Sequence, residues 1–188
     1  MPQVDISSQI TSQLLSDLSD KDWHLRSDAL QKISSIISDA KFVAPNLGEL
    51  PIALKPRLAD TNKKLALQAL TICQMLGTSL GSQCSKQIRN FAPGILSCLG
   101  DNKANVRTSA VQCLNSWMDN CPLANLFEGE VIYDVMRTDN PFLRIELFAW
   151  LTEKLPTVAS LPAAELNLCL PILLSCLEDR NPDVRKSI

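Results

Sequence analysis

Residues Gly100–Val111 read "GDNKANVRTSAV", and four other windows of the chain repeat that pattern. "SDKDWHLRSDAL" (Ser19–Leu30) and "ADTNKKLALQAL" (Ala59–Leu70) come before it. "RTDNPFLRIELF" (Arg137–Phe148) and "EDRNPDVRKSI" (Glu178–Ile188) come after it. Aligned on Asp20, Asp60, Asp101, Thr138 and Asp179, the windows lie 40, 41, 37 and 41 residues apart. Self-similarity at so regular a spacing is the mark of stacked supersecondary units.

Each column of the alignment has a physical job. Two residues before the anchor stand Leu18, Leu58, Leu99, Met136 and Leu177, expected to close a first helix with an apolar contact. Two residues after it stand Asp22, Asn62, Lys103, Asn140 and Asn181; four of these are good N-cap types, whose side-chain oxygen accepts an orphan amide. Pro141 and Pro182 then fit the first helical position, where a missing amide costs nothing. Leu25, Leu65, Val106, Leu143 and Val184, followed by Leu30, Leu70, Val111 and Phe148, are expected to face inward at helical spacing. Each unit is therefore helix, tight turn, helix.

The predicted second helices are 23–40, 63–80, 104–119 and 141–155, with a fifth cut off after Ile188. The predicted first helices are 6–18, 48–58, 86–99, 130–136 and 164–177. Prolines 45, 51, 93, 122, 156, 162 and 171 are expected near connections or first turns. "GTSLG" (Gly77–Gly81) reads as a loop between repeats. The fold class is all-α: an α-solenoid of HEAT-like repeats, about five of them with the last truncated. No linker interrupts it. Residues 1–188 are expected to form one domain, a fragment of a larger multi-domain protein.

Composition narrows the function. Of the 188 residues 46% are hydrophobic and 20% charged, which is too apolar for disorder. A net charge of −2 gives no basic field for nucleic acid. No run of about 18 apolar residues suits a membrane span. The seven cysteines contain no C-x-x-C pair and fall in apolar segments, so they read as small buried hydrophobes; with the single His24, zinc is disfavoured. One histidine and no phosphate loop leave no catalytic constellation, so no enzyme and no cofactor is expected.

Trp23 heads a column otherwise filled by Lys63, Ala104, Pro141 and Pro182, which is not a core column. It is expected at least partly exposed, where the five turns line up, as a binding hot spot would be. Lys21, Lys63, Lys64, Lys103 and Arg180 fall in or beside the same turns and predict a basic stripe. Arg26, Arg107, Arg144 and Arg185 recur six places after the anchor. The first three are expected to pair with anchor aspartates of their own or the adjoining repeat; Arg185 lacks a following repeat. Trp117 and Trp150 sit inside apolar helices and are expected in the core.

These motifs ("SDKDWHLR", "LADTNKKL", "LGDNKANVR", "NPFLRIELFAWLTEKLPT" and "CLEDRNPDVRK") resemble a TOG domain of the ch-TOG / Mini spindles family of microtubule polymerases, over nearly the whole chain. The later ones look most like the fourth TOG domain. The resemblance implies a monomeric tubulin-binding module of the cytoplasmic microtubule cytoskeleton, spindle and centrosome, gripping an αβ-tubulin dimer or microtubule end with its turns. Carried over, Trp23 with Lys21 is the β-tubulin anchor, supported by Asn62 and Lys63, while Lys103, Asn140, Arg180 and Arg185 complete the ridge. The alternative is a generic HEAT scaffold that binds a peptide or partner on its helical face.

Overall fold

The structure is a computed structural model, and it describes residues 2–158 and 163–188. Five helix–turn–helix units stack in sequence order. Helices α1 (Ser12–Leu18), α3 (Leu50–Leu58), α5 (Ile88–Cys98), α8 (Val131–Met136) and α10 (Ala163–Cys176) are the first helices. Helices α2 (Trp23–Ala40), α4 (Lys63–Ser79), α6 (Ala104–Met118), α9 (Pro141–Lys154) and α11 (Pro182–Lys186) are the second; α7 (Ala124–Phe127) is an extra turn before α8. Each first helix packs on the next first helix and each second on the next second, giving two layers. The contacts between layers bury one continuous core running from Ile6 to Val184.

Local chemistry explains the boundaries. Asp22, Asn62, Asn140 and Asn181 cap α2, α4, α9 and α11 through their side-chain oxygens, at 2.9–3.1 Å from the amide. Lys103 makes no side-chain cap for α6. The first helix starts later than the pattern suggests, because Thr11 caps it at Leu14 and residues Ser7–Gln9 form a separate 3-10 turn. Another 3-10 turn, Gly81–Lys86, precedes α5. Gly129 and Glu130 both take positive φ, 70° and 64°, which breaks the fourth first helix and leaves α8 only 6 residues long.

Several expectations need correction. Pro93 and Pro171 lie inside α5 and α10, as Pro56 does in α3, rather than at connections. In α5 the cost of an interior proline, about 3 kcal/mol, is outweighed by Phe91, Ala92, Ile95 and Leu96, which are buried on either side of it. The expected position of Pro162 lies outside the described residues. Gly77–Ser79 are helical, not a loop. Gly77 faces the indole of Trp117, and a Cβ there would come within 2.7 Å of Trp117 Cδ1. The glycine admits the ring, whose Nε1 donates to the Cys73 carbonyl at 2.9 Å. Trp117 and Trp150 are core residues, as read.

Two inward columns fail at the ends of the stack. Leu25 is 42% exposed and Leu177 50% exposed, although Leu65, Val106, Leu143 and Val184 of the one column and Leu18, Leu58, Leu99 and Met136 of the other are buried. Burial at these positions needs a neighbouring repeat on the outer side. Among the described residues neither Leu25 nor Leu177 has one. Val111 is half-buried rather than buried.

Candidate functional site

The five turns are built alike and are tied to one another. Asp20, Asp60, Asp101 and Asp179 each fold an Asx turn: Oδ1 accepts the amide two residues on at 2.8–2.9 Å. Arg26 Nη1 donates to the Asp20 carbonyl of its own turn at 2.8 Å, and Arg107 Nη1 does the same to the Asp101 carbonyl at 2.8 Å. Arg185 Nη1 repeats it on the Asp179 carbonyl at 2.6 Å. The remaining guanidinium donors of Arg26, and Nη1 of Arg144, reach the next turn. Arg26 grips Asp60 with Nε and Nη2 at 3.1 and 3.3 Å, and Arg57 approaches the same carboxylate at 3.1 Å. Arg144 donates to Asp179 at 2.8 Å.

At two steps of the ladder the sequence departs from the rule, and each is repaired differently. The second repeat has Ala66 in place of arginine, and Lys63 pairs with Asp101 instead. The fourth has Thr138 in place of the anchor aspartate, so Arg107 does not pair with an anchor carboxylate as expected. Its Nε donates to Glu146 at 3.1 Å, and its guanidinium lies 4.4 Å from the centroid of the Phe142 ring. Turns 3 and 4 are instead joined by Asn140, whose Nδ2 donates to the Gly100 carbonyl at 2.9 Å while Oδ1 caps α9. Gly100 permits that approach: a Cβ would sit 2.5 Å from Asn140 Nδ2. All five corners are therefore fixed along one edge.

Electrostatics follow the ladder. Burial pushes the Asp101 carboxyl up, but the Lys63 hydrogen bond, the Lys103 amide and the Lys63 and Arg107 charges outweigh it, and the net shift is downward. The Asp179 carboxyl is also held low, first by the Asn181 amide and then by Arg144. Burial lowers the Arg57 guanidinium against the opposing pull of Asp60. The seven thiols are all buried and free, and burial pushes Cys84 and Cys98 up to about 12. They are packing groups.

The sequence-predicted residues now divide. Trp23 is 39% exposed, with its ring tilted 31° against that of His24 at 3.7 Å between centroids, so it presents a surface to solvent at the first corner. Lys21 and Lys103 are exposed and unpaired among the described residues, and Lys64 joins them. Arg180 is 94% exposed on its side chain, 3.7 Å from Asp139; Arg185 is exposed but held on the carbonyls of its own turn. Asn62, Lys63 and Asn140 serve the edge from within: a cap, an inter-repeat ion pair and an inter-repeat clamp. The basic stripe is accordingly thinner than the lysine count suggests. The alignment did not single out Phe142, which is 46% exposed at turn 4. Its signal was an aromatic in a column that otherwise holds His24, Lys64, Asn105 and Asp183.

An α-solenoid that buries its chemistry in packing and turns one ordered edge of loops to solvent is a protein-recognition module. The family described as CLASP N terminal matches residues 7–188, and the chain belongs to it. Protein mini spindles of Drosophila melanogaster is 42% identical over 189 residues, covering 100% of this chain and 9% of the relative. A solved structure described as "Structural Basis of Microtubule Plus End Tracking by XMAP215, CLIP-170 and EB1" superposes with a TM-score of 0.80 at 25% identity, covering 98% of this chain and 78% of the other. A second, "Structural Basis of Tubulin Recruitment and Assembly by Microtubule Polymerases with Tumor Overexpressed Gene (TOG) Domain Arrays", gives 0.78 at 21% identity, covering 100% and 40%; it supports the fold. The TOG resemblance of the turn motifs is thereby shown.

Proposed function

We propose that residues 1–188 act as a single binding module, without catalysis, that holds an αβ-tubulin dimer along the turn edge. One observation carries the reading. Trp23 projects from the first of five corners that a ladder of cross-repeat bonds holds in register, and 39% of the residue stays in water beside His24. Lys21 flanks the ring, and Lys64, Lys103 and Arg180 supply cations farther along the edge. Asn62, Lys63, Asn140 and Arg185 contribute by holding the corners in place. Support comes from the tubulin-recruiting arrays among the fold's neighbours.

The chain spans 9% of the length of its Drosophila relative, so in a longer protein it would act as one of several linked modules, the fourth by its later turn motifs. Modest affinity per module then suffices, because linkage raises the effective concentration for the next. The site of action is the microtubule end, spindle and centrosome. The test is co-migration with free tubulin on gel filtration, wild type against Trp23→Glu. Loss of the complex in the variant is the expected result; a complex that survives the substitution refutes the edge.

A further inference from the structure

The second of the ladder's two departures, at Thr138, creates a second aromatic feature on the edge. Thr138 offers no carboxylate, so Arg107 turns to Glu146 and lies over Phe142. Arg107 is itself fixed at its other end by the Asp101 carbonyl, at 2.8 Å. Phe142 is the second residue of α9, held by the Asn140 cap that also clamps turn 4 to turn 3. Ring and backbone are thus both anchored, while 46% of the residue remains in water. An apolar ring fixed before binding loses little freedom when a partner covers it.

We infer that Phe142 is a second contact for the partner held at Trp23. The inference rests on the proposed use of the turn edge. Three repeat-to-repeat steps separate the two rings, about 24–30 Å at the usual 8–10 Å between packed helices. They therefore touch different parts of the partner surface, within the span of a standard protein interface of roughly 800 Å² per side. Exposed Lys103 lies in turn 3 and exposed Arg180 in turn 5, 3.7 Å from the exposed Asp139 of turn 4, so the second ring has a cation on either side and one carboxylate in its own turn. That pattern, an apolar anchor with positive charge on either side, suits an acidic protein surface with an apolar depression, here the same tubulin dimer that Trp23 engages.

The experiment measures the dissociation constant for free αβ-tubulin with wild type, Trp23→Glu, Phe142→Ala and Phe142→Glu. Because an acidic residue in the first turn of a helix favours folding, Phe142→Glu keeps the test valid if the alanine variant is unstable. Expected is a weakening of at least about fivefold in Phe142→Ala and more in Phe142→Glu, with helical circular dichroism unchanged. If Trp23→Glu abolishes binding while both Phe142 variants stay within about twofold of wild type, the inference falls and the proposed function stands. If wild type itself does not bind tubulin, both fall.

Discussion

Replacing Asp60 with alanine removes the most buried carboxylate of the ladder. The residue is 5% exposed, accepts Arg26 through two nitrogens and the Asn62 amide at 2.9 Å, and pairs with the Arg57 charge at 3.1 Å. Alanine leaves two guanidiniums, 13% and 15% exposed on their side chains, facing each other with no anion between. Removing one member of a buried ion pair costs about 3–5 kcal/mol. At about 2–4 °C per kcal/mol for a chain this long, the melting temperature should fall by about 6–20 °C. Asp60→Asn keeps the oxygen for the Asn62 amide but not the charge, and should cost less, about 1–3 kcal/mol. The double variant Asp60→Ala/Arg26→Met should be more stable than the sum of its parts, since it removes one of the stranded cations. Thermal unfolding followed by circular dichroism measures all of these. A fall of less than about 2 °C in Asp60→Ala would put the pair among surface bridges, worth about 0–1 kcal/mol, and refute the ladder as the device that fixes the corners.

Two further outcomes follow from other parts of the fold. Gly77→Ala gains about 1 kcal/mol of helix propensity, but its Cβ would meet Trp117 at 2.7 Å; the overpacking, about 1–3 kcal/mol, should win and lower the melting temperature. A rise would show that the indole shifts freely. Asp101 and Asp179 have folded values below the ordinary 3.8, so the stability they contribute is present above 3.8 and is lost progressively as the pH falls below it through the lower folded values. The urea midpoint should therefore drop on acidification below about pH 4, and Lys63→Met should flatten that limb. An unaltered acid limb in the variant would mean that Lys63 does not hold the Asp101 carboxyl down.

Much of this protein was legible in one dimension because its rules are local. A cap and the amide it serves lie two or three residues apart, so Asp22, Asn62, Asn140 and Asn181 announce their helices without knowledge of the fold. The apolar columns announce which faces turn inward, and the repeat period announces that the corners align. Trp23 could be read as exposed because a column of Lys, Ala and Pro cannot be core.

What escaped the sequence depends on partners about 40 residues away. Only the stacked repeats show that Lys63 reaches Asp101, that Asn140 clamps Gly100 and that Arg107 turns from an absent aspartate to Glu146 and Phe142. The same holds for Gly77, a helical position whose missing side chain makes room for Trp117, 40 residues on. The exposure of Leu25 and Leu177 likewise reflects what stacks beside them, not what they are. Periodicity specifies the element and the face a residue occupies. Which charges and rings remain available to a partner is decided by neighbours across the repeat boundary, and that is a property of the tertiary structure alone.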